Sequence, residues 1–221
     1  EAQTDQGAGI FFRWLWKDSK AEIYADYHYN DAKQNIRDLL LDSDHSRAVT
    51  VGLQKIFQIN NDDFLFSWEW TQMEQTASKL IRDAASWYMH GWVYDGYTNE
   101  GEVLGASIGP GSNSHYFALN RIRNNEKTGI AFEIIDQDND FYHEAFASAL
   151  DPRRYWKDFN LHLNFSKKYK QFWLSSNLMY SRSLNYKWDL EDIATEYYHP
   201  GNDVNNFHIT LKFAYLIPLG D

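Results

Sequence analysis

Residues 158–180, DFNLHLNFSKKYKQFWLSSNLMY, decide the fold class. Phe159, Leu161, Leu163 and Phe165 alternate with Asp158, Asn160, His162 and Asn164, the period of two that gives each face of a strand its own residue set. A short basic turn, Lys167 to Lys170, then leads into Phe172, Leu174, Leu178 and Tyr180. The pattern is that of an antiparallel hairpin with one apolar and one polar face.

Working outward, the same pattern returns in both directions. Downstream, Phe207, Ile209, Leu211, Phe213 and Tyr215 alternate with His208, Thr210 and Lys212. Upstream, an Asn124-Asn125 turn precedes Ile130, Phe132 and Ile134, which alternate with Ala131 and Glu133; a weaker pattern covers Ser114 to Arg123. Phe64, Phe66, Trp68 and Trp70 oppose Ser67, Glu69 and Thr71 after the turn Asn60-Asn61-Asp62, and Val49, Val51, Leu53 and Phe57 oppose Thr50, Gly52 and Gln54. Ala21, Ile23, Ala25, Tyr27 and Tyr29 alternate with Glu22, Tyr24, Asp26 and His28, and Ile10, Phe12, Trp14 and Trp16 share one face before the turn Asp18-Ser19. Two stretches change period: Ile36, Leu39 and Leu40, and then Ala77, Leu80, Ile81, Ala84 and Ala85 within Met73 to Ser86, each predicting a short helix.

Residues 1–221 read as one domain, because no Pro/Gly/Ser-rich linker divides them. Aromatic residues make up 17% of a chain whose mean hydropathy is negative, which suits a wall apolar on one face only. No apolar run is long enough for a transmembrane helix, so membrane insertion would be as a barrel. No signal peptide is visible, as expected of a mature or partial chain. The absence of cysteine excludes disulfide scaffolds, thiolate metal sites and cysteine nucleophiles. A net charge of -10 without a basic stripe argues against nucleic acid as a partner.

Short turns and long connections alternate strictly along about nine strands, the habit of an antiparallel up-and-down transmembrane β-barrel with short periplasmic turns, long outer loops and short helices in those loops. With the short turns in the periplasm, the last strand runs down to the periplasm and the first begins at the outer face. Bacterial single-chain barrels have even strand numbers, and an odd open sheet would expose two edges to lipid. The expectation is the C-terminal portion of a larger barrel, completed by another chain or segment and surrounded by outer-membrane lipid. The alternative is a soluble curved sheet whose aromatic face packs on another domain.

Trp87 to Tyr116, WYMHGWVYDGYTNEGEVLGASIGPGSNSHY, is the stretch that alternation does not explain. Glu69-Trp70-Thr71 upstream, Tyr88, His90-Gly91, Gly96-Tyr97, Leu104-Gly105 and Ile108-Gly109-Pro110-Gly111-Ser112-Asn113 resemble the capsule-assembly Wzi family of outer-membrane proteins, in the form found in Bacteroidetes. The likeness continues through Asn139-Asp140-Phe141-Tyr142, Asp151-Pro152-Arg153-Arg154 and Arg182-Ser183-Leu184-Asn185-Tyr186, and matches the C-terminal half of the family. The resemblance implies a monomeric barrel that binds capsular or exopolysaccharide at the cell surface, with no catalytic residues and no cofactor. The chain departs from outer-membrane habit at Ile217-Pro218-Leu219-Gly220-Asp221, where a terminal aromatic is expected.

Sugar binding needs aromatic faces for C–H surfaces and polar groups for hydroxyls. The candidate polysaccharide ligands are Trp87, Tyr88, His90, Trp92, Tyr94, Tyr97, Asn113 and His115, with Asp95 and Asn99 nearby. For any one aromatic, a place in an interfacial girdle or in the packing of the loop on itself is the competing role. Glycines there serve turns with positive φ.

Gly105-Ala106-Ser107-Ile108-Gly109 matches the G-x-S-x-G nucleophile pattern, but Pro110-Gly111-Ser112-Asn113 follows where that motif needs a helix. An outer-membrane esterase or deacylase with Ser107 or Ser112 and His90 or His115 is the enzymatic rival, and a structural subunit of an outer-membrane complex is the third reading. Asp136-Gln137-Asp138-Asn139-Asp140 begins like a calcium loop, yet Ala147 stands where the closing Glu would be, which excludes an EF-hand. A solvated acidic loop beside His143 and Glu144 is the plainer reading, and the scattered histidines propose no metal site. Glu22, Asp26, His28, Glu69, Glu133, Asp158, His162, His208 and Lys212 all fall on polar strand faces and would line a lumen.

Overall fold

The structure, a computed structural model, describes residues 7–30, 35–80, 82, 84–91, 93–124, 126–146, 154–189 and 202–216. Nine strands form one antiparallel sheet: β1 (Gly7–Trp16), β2 (Ala21–Asn30), β3 (Arg47–Ile59), β4 (Asp62–Gln72), β7 (Asn113–Arg123), β8 (Glu126–Asp136), β9 (Lys157–Tyr169), β10 (Phe172–Leu184) and β11 (Val204–Tyr215). Their order in the sheet is their order in the chain, interrupted only by the two-residue strands β5 (Thr98–Asn99) and β6 (Glu102–Val103), which pair with each other. Every neighbour is thus reached by a turn or loop, without a crossover. β1 and β11 lie at the two ends of the sheet and do not pair with each other.

Tight turns close one end. Asn60 and Asn61 both have positive φ, 49° and 69°, between the paired residues Ile59 and Asp62, which is the two-residue hairpin geometry that matches strand twist. Asn124 (φ 47°) and Lys170 (φ 56°) serve the next two short connections. The sequence places the latter turn at Lys167 to Lys170; the strand instead runs through Tyr169, because Lys167 Nζ pairs with Glu126 of β8 at 2.9 Å and the Ser166 and Ser175 hydroxyls bond across the hairpin at 2.9 Å. Lys167 and Lys168 end a strand, and Lys170 alone of the three makes the turn.

The register gives each face an unbroken row. Trp14, Ile23, Leu53, Trp68, Phe117, Phe132, Leu161, Tyr180 and Phe207 are successive partners across all nine strands, with no Asp, Glu, His, Lys or Arg among them. One residue away on the opposite face, Arg13, Tyr24, Gly52, Glu69, Tyr116, Glu133, Asn160, Ser181 and Asn206 form the corresponding polar row. All nine residues expected on polar strand faces, Glu22 to Lys212, share this second face.

Burial is inverted relative to a water-soluble sheet. On the apolar face Phe117, Phe132 and Leu161 stay 39% exposed and Phe207 76%, whereas Thr71, Ser114, Asn120, Asn160 and Ser181 on the polar face are buried. The large apolar side chains are thus the exposed ones, and small polar ones are packed on the opposite face. Hydrogen bonds satisfy part of the packed face: Asn160 Nδ2 donates to Glu133 Oε2 at 3.0 Å, Asn177 Nδ2 to Asn164 Oδ1 at 2.8 Å, and Thr50 and Thr71 meet at 3.2 Å. The Tyr24 hydroxyl donates to Glu69 Oε2 at 2.5 Å across β3, and it can do so because Gly52 lies beneath its ring, where a Cβ would come within 2.0 Å of Cζ.

At the other end lie the long connections. α1 (Ile36–Leu41) forms as expected, capped by Asn35, whose side chain accepts from Asp38 N. The amphipathic helix expected over Met73 to Ser86 does not: its only described helical piece is a 3₁₀ turn at Ala77–Leu80. Side chains take the backbone groups that a helix would have paired, as when Asp140 accepts from Gln75 N and Gln75 Nε2 donates to Ala85 O. α2 (Asn139–Ala145) lies in the segment read as an acidic loop. Among the described residues no helix is long and apolar enough to cross a membrane.

Candidate functional site

The long connection between β4 and β7 folds back over the polar face at the loop end of β1 to β4. Its shape comes from few backbone bonds: Tyr97 N donates to Tyr88 O, Leu104 N to Tyr97 O, and Gly109 N to Ala106 O. Tyr88, at φ 68°, pins the fold by accepting from Ala106 N at 2.9 Å and donating to Met73 Sδ at 3.7 Å.

A buried polar cluster fastens both ends of the loop. Asp140, 3% exposed, accepts from Gln75 N at 2.9 Å, Ser86 Oγ at 2.9 Å and Lys79 Nζ at 3.3 Å. Glu74 Oε2 accepts from Asn113 Nδ2 at 2.6 Å and Asn139 Nδ2 at 3.0 Å, while Asn113 Oδ1 accepts from Met73 N and Glu74 N. Asn139 N donates to Gly111 O and Asp138 N to Ser112 Oγ. Gly111 has φ 59°, and a Cβ there would stand 2.4 Å from Asp138 Oδ1, so only glycine fits. The runs Ile108–Asn113 and Asn139–Tyr142, far apart in sequence, therefore meet as one structural unit.

The Asp-rich stretch is used by the protein itself. Asp136 pairs with Lys157 at 2.7 Å, Asp138 caps α2 by accepting from Phe141 N at 3.0 Å, and Asp140 holds the loop. These carboxylates do not converge on one point. Burial pushes the Asp138 carboxyl above its ordinary 3.8, with the charges of Asp140 and Glu144 adding and the Phe141 N–H and Lys79 opposing. Burial likewise raises the Tyr155 phenol, whose ring lies 4.4 Å from that of Tyr142.

The Asp138 shift has a sign in pH. The native state binds this proton more tightly than the unfolded chain, so the penalty is absent below 3.8 and develops as the pH rises through the native value. Asp138→Asn keeps the capping oxygen and tolerates the left-handed backbone (φ 36°). In chemical unfolding across the acid range, wild type should lose stability relative to Asp138→Asn as the pH is raised; a difference that grows in favour of wild type would contradict the role given to burial.

Of the candidate ligands, Trp87, Tyr88 and Tyr97 come together. All three line a cavity of about 290 Å³ against Gly9 and His28 of β1 and β2, and Trp87 and Tyr88 also line an adjoining one of about 350 Å³. Trp87 Nε1 is buried without a hydrogen-bond partner among the described residues. Tyr94 is fully exposed, and His90 Nδ1 accepts from Val93 N in a local turn. Asn113 is engaged at both ends of its amide by the cluster above. His115 faces the opposite side of the sheet, where its ring stacks on Trp70 at 6.5 Å. Trp92 lies outside the described residues, as do Ile81, Asn125, Ala147 and residues 151–153 and 217–221.

A third cavity of about 370 Å³ lies between Ala106–Ile108 and the wall, with Glu69, Tyr116 and Glu133 among its lining residues. Tyr116 is the residue that sequence reasoning missed; its place on the polar face, one position from outward Phe117, was the available signal. Ser107 lines this cavity as well. Neither Ser107 nor Ser112 hydrogen-bonds a histidine among the described residues: Ser112 donates to Pro110 O, and no helix follows the G-x-S-x-G pattern. The arrangement offers hydrogen bonding and stacking rather than an activated nucleophile.

No protein-family model matches the sequence, and no curated protein matches it. Among solved structures, the chain is similar to Wzi of Escherichia coli, an outer-membrane protein involved in group 1 capsule assembly and a carbohydrate-binding β-barrel, with a TM-score of 0.65 over 96% of this chain and 12% sequence identity. The chain spans 42% of that protein's length, less than half. The fold is Wzi-like: an all-β antiparallel sheet with short helices in its long connections.

Proposed function

We propose that this chain is part of an outer-membrane β-barrel of the Wzi type, of the form found in Bacteroidetes, that binds surface polysaccharide and helps to assemble or anchor capsule or exopolysaccharide. The observation that carries the reading is the loop Trp87–Ile108 folded onto the polar face, which leaves aromatic-lined cavities on a sheet whose other face is apolar and exposed. The Wzi-like fold supports both halves of it. Nine strands with two unpaired edges support a larger barrel, in which β1 and β11 pair with further strands of the same protein or of another chain. The protein acts by binding and carries out no chemistry on the glycan.

Replacing Trp87 and Tyr97 together with Ala removes the two aromatic faces of the first cavity. Retention of native surface glycan by protein in detergent should fall on the order of tenfold, each lost stacking contact contributing about 0.5–1.5 kcal/mol. Unchanged retention by a variant that keeps its sheet spectrum would refute the reading.

A further inference from the structure

The three cavities form one curved groove. The 290 and 350 Å³ cavities share His28, Trp87, Tyr88 and Leu104, and the 350 and 370 Å³ cavities share Thr50, Thr71 and Ala106. The groove runs beneath the loop from Gly9 on β1 to Glu133 on β8, and its two ends differ in chemistry. At one end are aromatic side chains over a glycine floor, with the orphaned Trp87 Nε1 close by. At the other, Tyr116 stands between Glu69 and Glu133 in the cross-strand register.

The second end is unsatisfied as a hydrogen-bonding surface. The Ser107, Ser114 and Tyr116 hydroxyls make no protein hydrogen bond among the described residues; Glu69 accepts from Tyr24 and Glu133 from Asn160 through Oε2 alone, and His162 Nε2 stands 3.9 Å from that same Glu133 oxygen. No lysine or arginine is among the described residues that line any of the three cavities, although Asp26, Glu69 and Glu133 are. Arg13, the cation of the same polar row, is bound to Glu22. A sugar carboxylate brought here would meet two like charges with no lysine or arginine in the described lining and only the His162 imidazole beside Glu133, whereas an ammonium would meet two carboxylates.

We propose that the groove is an amino-sugar subsite: it takes a hexosamine-bearing glycan, stacking one sugar ring on Trp87 and Tyr97 and holding the ammonium of another against Glu69, Tyr116 and Glu133. The inference rests on the polysaccharide-binding reading and makes it specific, since a uronate-rich glycan is excluded from the groove. Its stabilising interaction is the attraction of a full positive charge to two carboxylates, which the uncharged N–H of an N-acetyl group lacks although it can donate to one of them.

The test is titration calorimetry of the full-length protein in detergent at low salt, with oligosaccharides of glucosamine, N-acetylglucosamine and galacturonate. Glucosamine oligomers should bind on the order of tenfold more tightly than N-acetylglucosamine oligomers, the gain from pairing an ammonium instead of an amide N–H with the carboxylates, and galacturonate should bind most weakly. Glu133→Gln and Glu69→Gln each keep an oxygen for Asn160 or Tyr24, so the wall stays intact, and each should reduce the preference for glucosamine over N-acetylglucosamine several-fold. Galacturonate binding as tightly as glucosamine, or a glucosamine preference untouched by both variants, overturns the proposal. Failure of all three oligosaccharides to bind also overturns it; if native surface glycan is still retained the general reading stands, and if that too is lost both fall.

Discussion

Asp140→Ala is expected to cost about 3 kcal/mol, the lower end of what removing one member of a buried ionic contact costs. The buried carboxylate accepts from a backbone N–H, a hydroxyl and an ammonium that belong to one loop, so its removal leaves Gln75 N and Ser86 Oγ without an acceptor. Lys79, whose side chain is 23% exposed, can turn to water, which is why the upper end is not expected. Asp140→Asn should recover part of the loss, because an amide oxygen still accepts from Gln75 N. Denaturant unfolding measures the cost, and limited proteolysis between Met73 and His90 should become faster in Asp140→Ala. Equal proteolysis in both proteins would mean that the loop is held by something else.

The second large effect separates lipid from water as the surrounding of the apolar face. Leu161 lies in the row from Trp14 to Phe207, inside the strand Lys157–Tyr169 and not at either end of it. Arg at the midplane of a bilayer costs about 2–4 kcal/mol on the lipid side of a barrel, whereas a substitution at a surface position in water costs within about 0.5 kcal/mol. Leu161→Arg should therefore lower unfolding stability in liposomes by the larger amount. His208→Arg, on the polar face and exposed, should change it little. A negligible cost for both would favour a sheet that faces water or another protein.

The wall was legible in the sequence because a period of two assigns every strand residue to a face before any partner is known. Phe159 to Phe165 against Asp158 to Asn164 fell as read, and the scattered polar residues from Glu22 to Lys212 gathered on one surface. Two local readings failed for a physical reason. The apolar spacing of Ala77, Ala84 and Ala85 was helical, but Asp140, some sixty positions later, takes the backbone N–H of Gln75, and no local propensity can anticipate a distant acceptor. The lysines at 167 and 168 resembled a turn because charge marks exposure, which strand ends share.

The site was legible only as a location. Glycines and aromatics marked Trp87 to Tyr116 as unusual, yet which of them meet depends on how the loop closes against other strands. Trp87 and Tyr97 meet over Gly9; His115, within the same stretch, was carried to the apolar face by strand parity. Asn113 looked like a ligand and is a brace for Met73 and Glu74. Tyr116 went unnoticed because its significance lies in having Glu69 and Glu133 as cross-strand partners, a matter of register.

The order of strands in the sheet has a kinetic meaning. Each strand finds its partner in the segment just before it, joined on alternate occasions by a turn as short as Asn60-Asn61. Hairpins of this kind close in about 1–10 μs, and contacts local in sequence are the ones that form fastest. The wall can thus grow by addition, one strand at a time; in the proposed barrel, only the free sides of β1 and β11 would wait on a partner distant in the chain or outside it. The slow step of assembling such a barrel would lie at that seam.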